Sequence, residues 1–204
     1  MIFEARNSEP AIPAAQTAFP GVSSVAWLRA VGIVLLGSAF VAVCAHVALP
    51  LFFTPVPLTL QPFAILLLGL LLSPRLAAAT LFAYMGEGAL GLPVFSPGPA
   101  GLSGLAHLFG PTGGYLLAYP LAAMLISFLF RFGRRSFGSA VVSAAAGNLV
   151  ILSIGALWLA ILTHASLQLV FAQAIIPFLP GDALKVLAAA GLATGWQHLR
   201  QRNF

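Results

Sequence analysis

Long stretches without charged side chains constrain the fold of this chain more than any other feature. No aspartate, glutamate, lysine or arginine occurs at residues 136–181 or at residues 186–199. Charged residues make up only 6% of the sequence, whereas an average globular protein has about 25%. We therefore predict an integral membrane protein, and its 204 residues allow about six spans of roughly 20 residues each.

Prolines, glycines and arginines divide the apolar sequence into six predicted transmembrane helices, which gives an all-α fold. Between the fifth and sixth spans, residues 164–178 are predicted to form a shorter amphipathic or interfacial helix that ends at Pro177 and Pro180. Asp182 is expected to cap the sixth span. The six predicted spans are residues 27–49, 58–73, 76–90, 115–130, 138–163 and 182–198.

The segment between the third and fourth spans has an unusual composition. Residues 86–114 contain nine glycines and four prolines, and Glu87 is their only charged residue. A disordered linker would be polar or charged. The composition therefore predicts a long structured loop.

The arginines indicate the orientation of the spans. If the N-terminus is cytoplasmic, eight of the nine basic residues fall on the cytoplasmic side, and the outer connections carry none. Only Lys185 departs from this pattern, near the outer end of the sixth span. The positive-inside rule thus predicts that both termini are cytoplasmic in the cell membrane. The eight arginines are Arg6, Arg29, Arg75, Arg131, Arg134, Arg135, Arg200 and Arg202.

The distribution of polar residues predicts how the chain is divided. Residues 1–25 are polar and rich in proline and alanine, which predicts a flexible cytoplasmic tail before a membrane domain at residues 26–204.

The formal charge of +5 could suggest a nucleic-acid partner. However, the basic residues are spread along the sequence without forming a patch, so we expect no nucleic-acid binding.

Asp182 and Lys185 are the charged residues most suggestive of function. Charges inside a membrane span are rare and usually functional, because each costs roughly 2.5–3.5 kcal/mol on insertion scales. Their i, i+3 spacing places both on one helical face, where they can pair or bind one ligand together. The structural alternative is a helix-capping aspartate beside a lysine that extends to the lipid head groups.

Four sequence motifs, in this order and at these separations, closely resemble the BioY family. They are residues 55–61 (PVPLTLQ), 91–95 (GLPVF), 110–115 (GPTGGY) and 177–185 (PFLPGDALK). Members of this family are the biotin-binding S components of energy-coupling factor (ECF) transporters. The resemblance covers about residues 41–195, which is nearly the whole membrane part.

The resemblance implies a six-helix protein that captures biotin from the outer side of the membrane. It also implies two kinds of partner, a transmembrane T component and a pair of ABC-type ATPases. The chain itself has no Gly-x-x-x-x-Gly-Lys-Ser/Thr phosphate loop, so we expect a transport subunit and not an enzyme. No cofactor is expected, and the formation of a homo-oligomer is left open.

The chemistry of biotin suggests roles for the candidate residues. Biotin has a carboxylate, a ureido ring with two N–H donors and a carbonyl, and an apolar body. Lys185 can hold the carboxylate, and Asp182 can accept a ureido N–H or fix the lysine. The sequence does not decide which end of biotin each residue contacts. Gln61 and Tyr115 are candidate neutral partners, and Phe95 and Ser96 are candidates for a lid over the ligand.

Other polar residues have weaker assignments. Glu87 can line the pocket, pair with Lys185 or reach the outer interface. Asn148 and the histidines at positions 46, 107 and 164 are predicted to be packing or interfacial groups and not metal ligands, because no carboxylate or cysteine cluster accompanies them.

Small residues recur at four-residue spacing in three places, which allows helices to approach closely in a membrane. These pairs can serve packing within the chain or docking to another membrane subunit. They are Ser38/Ala42, Ala189/Ala193 and Gly191/Gly195.

Two alternative functions agree less well with the sequence. The first is an S component for another vitamin, such as thiamin or riboflavin, and the Asp-x-x-Lys pair with the Pro-rich first loop argues against it. The second is an intramembrane enzyme. Such enzymes need a catalytic set, for example paired aspartates or His-Glu-x-x-His, and the sequence contains none.

Overall fold

A computed structural model describes residues 24–97 and 101–202, apart from the side chain of Arg202. The tail predicted at residues 1–25 lies outside the described residues except for Ser24 and Val25, which are the first residues of the first helix. The helices are α1 (Ser24–His46), α2 (Gln61–Leu71), α3 (Pro74–Ala89), α4 (Leu105–Leu108), α5 (Gly113–Phe132), α6 (Phe137–Thr163), α7 (Leu167–Ala174) and α8 (Leu179–Arg202).

The described part is mostly helical, as predicted, with one short β pairing between α1 and α2. Strand β1 (Ala48–Leu49) pairs antiparallel with β2 (Leu58–Thr59). This pairing of two two-residue strands is an addition that the all-α prediction did not include. Prolines at positions 50, 55 and 57 keep the connection out of a helix. In a membrane protein its backbone groups still need partners, and the strand pairing supplies them.

Helix lengths identify fewer candidate membrane spans than the six that the sequence pattern predicts. By length and composition, α1, α5 and α6 are able to cross a membrane, and α7 with α8 forms a fourth candidate that is bent by 50°. Helix α2 has only 11 residues and α3 has 16, both fewer than the roughly 20 that a straight span needs. Six spans therefore stay a prediction.

The start of α8 differs from the sequence-based expectation. Helix α8 begins at Leu179, and the Asp182 N–H donates to the carbonyl of Phe178 at 2.8 Å. Asp182 consequently lies inside the first turn and does not cap the helix. Pro180 is tolerated there because the N–H groups of a first turn have no helical partner.

The predicted interfacial helix at residues 164–178 is shorter than expected. Helix α7 covers only Leu167–Ala174, and the Ser166 hydroxyl accepts a hydrogen bond from the N–H of Leu169. Pro177 lies in the break between α7 and α8, while Pro180 belongs to α8. The break covers residues 175–178, and α8 starts after it, three residues before Asp182.

Glycines allow close packing of α5 against α6. A side chain at Gly155 would collide with the ring of Tyr115, and one at Gly147 would collide with Ile126. Both glycines belong to α6, and the two residues they face belong to α5. Helix α5 also packs against α2 and α3, so it lies at the centre of the bundle.

Two of the small-residue pairs face the interior. Ser38 and both Ala189 and Ala193 are completely buried, and Ala42 packs against the core. Gly191 and Gly195 are exposed, with no atom within 4 Å of the position of an added Cβ. The first two pairs thus serve packing within the chain, whereas the third lies on the outer surface of α8.

The collision at Gly155 leads to a stability prediction. Gly155→Ala should lower the free energy of unfolding by about 1–3 kcal/mol, because the added methyl group displaces Tyr115 from a packed interface. Thermal unfolding in detergent measures the effect. Gly191→Ala is the matched control and should be neutral or slightly stabilising, since alanine favours the helix and meets open space there. Equal effects of the two substitutions would contradict the packing described.

Candidate functional site

Two buried charges lie near the start of α8. The Lys185 Nζ is 3.0 Å from the Asp182 Oδ1, and the two residues are only 9% and 3% exposed, respectively. Lys185 follows Leu179 by six residues, which places it about 9 Å along the helix axis. Burial of a single charge would be costly, and the pairing reduces that cost. Lys185 therefore points into the bundle and does not extend to the head groups.

Asn148 of α6 holds the second oxygen of the Asp182 carboxylate. Its Nδ2 donates to Oδ2 of Asp182 at 3.1 Å, so the carboxylate has a donor on each side. The Oδ1 atom of Asn148 is buried and has no hydrogen-bond partner among the described residues. Asn148 was predicted to be a packing or interfacial group, and its hydrogen bond to the Asp182 carboxylate was not predicted. The available signal was a carboxamide in the middle of an otherwise apolar span.

The ion pair faces a pocket that encloses about 490 Å³ of space not occupied by atoms, including the space at its mouth. Residues from α2, α5, α6, α8 and the connecting segments form its wall. The polar members are Thr59, Gln61, Ser96, Thr112, Tyr115, Tyr119, Asp182 and Lys185, and the apolar members are Val56, Pro57, Pro62, Leu116, Ile151, Leu152 and Phe178.

Five of the seven residues predicted from the sequence line this one pocket. They are Gln61, Ser96, Tyr115, Asp182 and Lys185. These residues are up to 124 positions apart in the chain (185 − 61), and the packing of α2, α5 and α8 brings them together. The other two predicted residues, Phe95 and Glu87, lie outside the pocket wall.

Phe95 anchors its loop on the side away from the pocket. Its ring lies against Gly88 of α3, contacts Tyr84 edge-on with centroids 5.5 Å apart, and stacks on His107 at 4.9 Å. A larger residue at position 88 would occupy the space of the ring. Phe95 thus fixes the segment that carries Ser96, while Ser96 itself faces the pocket.

Glu87 joins α3 to α1. The hydroxyl of Ser38 donates to Oε2 of Glu87, and Glu87 is half-buried. In the structure it neither lines the pocket nor pairs with Lys185, whose ionic partner is Asp182. Its observed contact is one that the sequence analysis did not consider.

Gln61 connects the pocket to the loop after α3. Its Nε2 donates to the hydroxyl of Tyr84 at 2.8 Å, and that hydroxyl donates to the carbonyl of Val94 at 3.0 Å. Both Gln61 and Tyr84 are almost fully buried. The chain of two hydrogen bonds holds α2, α3 and the loop in one arrangement around the pocket.

Tyr115 connects the pocket to the break before α8. Its hydroxyl donates to the carbonyl of Ala174, the last residue of α7, at 3.1 Å. Tyr119 follows one helical turn later and also lines the pocket, which the sequence analysis missed. The i, i+4 spacing of the two tyrosines was the signal, since such residues share a helical face.

Asp182 also borders a second crevice, whose wall is mostly apolar. Asp182 and Asn148 lie at the base of this crevice, between α6 and α8, next to Leu149, Leu152 and Leu187. The hydrogen bond between Asn148 and Asp182 thus lies between the pocket and this crevice. Among the described residues, no group of three or more His, Cys, Asp or Glu side chains could hold a metal ion.

The buried contact of Asn148 leads to a second prediction. Asn148→Leu should lower the free energy of unfolding by about 1–3 kcal/mol, because it removes a donor from a buried carboxylate. In combination with Asp182→Asn, the loss should be smaller than the sum of the two single losses. Thermal unfolding of the four proteins in detergent measures the coupling. Additive losses would show that Asn148 does not support the carboxylate.

The chain is similar to known membrane proteins over most of its length. Residues 15–202 match the model of the BioY family. A probable biotin transporter BioY from Pyrococcus horikoshii is 37% identical over 166 residues, covering 81% of this chain and 94% of that protein. The biotin transporter BioY2 from Lactococcus lactis subsp. cremoris is 34% identical over 161 residues, covering 78% of this chain and 85% of that protein.

A solved structure has the same fold. It is the crystal structure of the S component for biotin from an ECF-type ABC transporter, which superposes with a TM-score of 0.77. The match covers 86% of this chain and 94% of that chain at 23% sequence identity. At this level of identity the likeness establishes the fold alone.

Proposed function

The chain belongs to the BioY family, and we propose that it captures biotin in the cell membrane as the substrate-binding subunit of an ECF transporter. The observation that carries the proposal is the buried Asp182–Lys185 pair at the wall of a pocket that polar and aromatic side chains line together. Relatives named as biotin transporters support the choice of substrate. Family membership makes the chain a transport subunit and not an enzyme.

The geometry of the ion pair favours the ureido ring of biotin as its ligand group. Nζ of Lys185 and Oδ1 of Asp182 lie 3.0 Å apart, which offers one donor and one acceptor side by side. A ureido ring has a carbonyl and an N–H side by side and can satisfy both. The ammonium has three N–H groups and the carboxylate has several lone pairs, so each can make a further hydrogen bond.

Charge balance supports the same orientation. The Asp182–Lys185 pair is neutral overall, so a carboxylate placed against it would add an unbalanced buried charge. The ureido ring is uncharged and adds none. The sequence left open which end of biotin Lys185 contacts, and the carboxylate was one of the options. Aromatic and aliphatic wall residues, including Tyr119, Phe178 and Ile151, would contact the apolar body of the ligand.

Removal of Lys185 tests the site and the orientation together. Lys185→Met should weaken biotin binding by about 2–4 kcal/mol, because it removes a buried charge partner and leaves Asp182 partly unpaired. If the pair holds the ureido ring, binding of biotin and of its uncharged amide should fall by the same factor. Isothermal titration calorimetry on purified protein measures both affinities.

The control for this experiment is Glu87→Gln, which removes a charge outside the pocket wall and should leave the affinity unchanged. Unchanged affinity in a folded Lys185→Met protein would remove the lysine from the site. A loss confined to biotin, with the amide unaffected, would assign Lys185 to the carboxylate. Failure of the unmodified protein to bind biotin would refute the proposed function itself.

The proposed topology has six spans, both termini in the cytoplasm and the glycine-rich loop outside. It is supported by the distribution of arginines and by the packing of the short helices α2 and α3 inside the bundle, against α5. The loop after α3 contributes Ser96 to the pocket wall, so this arrangement would place the pocket toward the outer side. ATP-driven uptake would need the T component and ATPases, since this chain has no phosphate loop.

Cysteine labelling tests the topology. In a Cys44→Ser background, a cysteine at exposed Ser103 should react with a membrane-impermeant maleimide added to intact cells. A cysteine at exposed Gly133 should react only after the cells are opened. Ser103 precedes α5 and Gly133 follows it, so in the six-span arrangement the two sites lie on opposite sides of the membrane and each is the control for the other. Labelling of both from the same side would contradict the six-span arrangement.

A further inference from the structure

Three arginines from two distant parts of the sequence gather around one hollow at the end of the bundle opposite the ion pair. Arg131 lies in the last turn of α5, Arg135 follows in the connection to α6, and Arg200 lies near the end of α8. The hollow encloses about 1,590 Å³ of space not occupied by atoms, including its open mouth. This basic patch was not predicted from the sequence, because folding assembles it from the ends of α5 and α8.

The positive charge of this hollow is not balanced within the described residues. The carboxylates in that part of the chain are Glu87 and Asp182, and their partners are Ser38, Lys185 and Asn148. No hydrogen bond or ion pair holds the guanidinium groups of Arg135 and Arg200 within residues 24–97 and 101–202. Like charges around one space repel each other, so an anion between them would be favourable.

One of the three guanidinium groups is held in place by the fold. Nε of Arg131 donates to the hydroxyl of Ser127 at 3.3 Å, and that hydroxyl donates to the carbonyl of Leu72 at 2.6 Å. The remaining N–H groups of Arg131 are left for a ligand. A planar guanidinium with several N–H groups suits the oxygens of a phosphate group. Gln197 and Gln201 add amide donors to the same hollow.

The remaining members of the wall are apolar. Leu71 is 38% exposed and Trp196 is 61% exposed, and both line the hollow together with Leu72. Tryptophan is enriched at the level of lipid head groups. A free phosphate ion would make no use of such a wall, whereas the acyl chains of a lipid would lie against it.

We propose that this hollow binds the phosphate head group of an anionic phospholipid, with the three arginines as ligands. Basic pockets between transmembrane helices on the cytoplasmic side are typical sites for anionic head groups. Under the topology proposed above, the hollow lies in the cytoplasmic leaflet. The site is separate from the pocket beside Asp182 and Lys185.

The experiment compares two triple variants that lose the same charge. Arg131→Gln/Arg135→Gln/Arg200→Gln removes the arginines of the hollow. Arg29→Gln/Arg75→Gln/Arg134→Gln removes three exposed arginines that do not line it. Purified proteins in a neutral detergent receive phosphatidylglycerol or phosphatidylcholine. Native mass spectrometry counts the bound lipids, and thermal unfolding reports stabilisation.

Phosphatidylglycerol should bind to the unmodified protein and to the control variant and raise their unfolding temperatures. Its affinity for the variant of the hollow should be weaker by about tenfold or more, because three basic residues that attract anionic lipid are lost together. Phosphatidylcholine should have no comparable effect on any of the three proteins. Equal losses in both triple variants would show a diffuse charge effect and overturn the proposal.

Two further measurements complete the test. Inorganic phosphate at matched ionic strength should not reproduce the stabilisation, and if it does, the site takes a free anion and the lipid assignment is wrong. If the triple variant of the hollow does not fold, Arg200→Gln replaces it, since its guanidinium has no partner among the described residues. That single variant should bind phosphatidylglycerol several-fold more weakly than the unmodified protein, and unchanged binding would refute the proposal.

Discussion

Burial of Asp182 and Lys185 inside a membrane protein imposes a condition that the neighbouring helices have to meet. Each charge would be unfavourable alone, so the carboxylate needs donors and the ammonium needs an acceptor. Lys185 supplies one donor and Asn148 of α6 supplies another. The break between α7 and α8 lets α8 begin at Leu179, which places the carboxylate in its first turn. The positive end of a helix favours an anion at that position.

The pocket wall is assembled from hydrogen bonds that cross between elements. Gln61 reaches Tyr84, and Tyr84 reaches the backbone of the loop at Val94. Tyr115 reaches the end of α7. Each of these contacts gives a buried polar side chain a hydrogen-bond partner. Each also fixes one side of the pocket. Binding and stability therefore depend on the same contacts, and a change at Gly88 or Gly155 would reach the pocket through Phe95 or Tyr115.

The two ends of the bundle differ in chemistry. One end presents a neutral ion pair in an enclosed pocket, which suits a small ligand with a polar ring. The other presents three arginines around an open hollow, whose charge is not balanced by the described carboxylates. A buried neutral pair avoids the cost of an unpaired charge, whereas exposed arginines keep their hydration and attract anions from the membrane surface. In the proposals made above, ligand capture and contact with lipid therefore take place at opposite ends of the bundle.

Residue composition and the placement of charges were enough to predict the membrane class, the approximate helices and Asp182 and Lys185 as candidate site residues. Apolar composition and intramembrane charges act through solvation, which does not depend on how the helices pack. The sequence motifs also indicated the BioY family. Other features became visible only in the folded structure. Asn148 supports Asp182, and Tyr119 lines the pocket. Phe95 and Glu87 lie outside the pocket wall. Asp182 does not cap α8, and Arg131, Arg135 and Arg200 converge. These features depend on which helical faces meet, and the meeting of α5 with α6 and of α2 with α8 is set by long-range packing that no local pattern encodes.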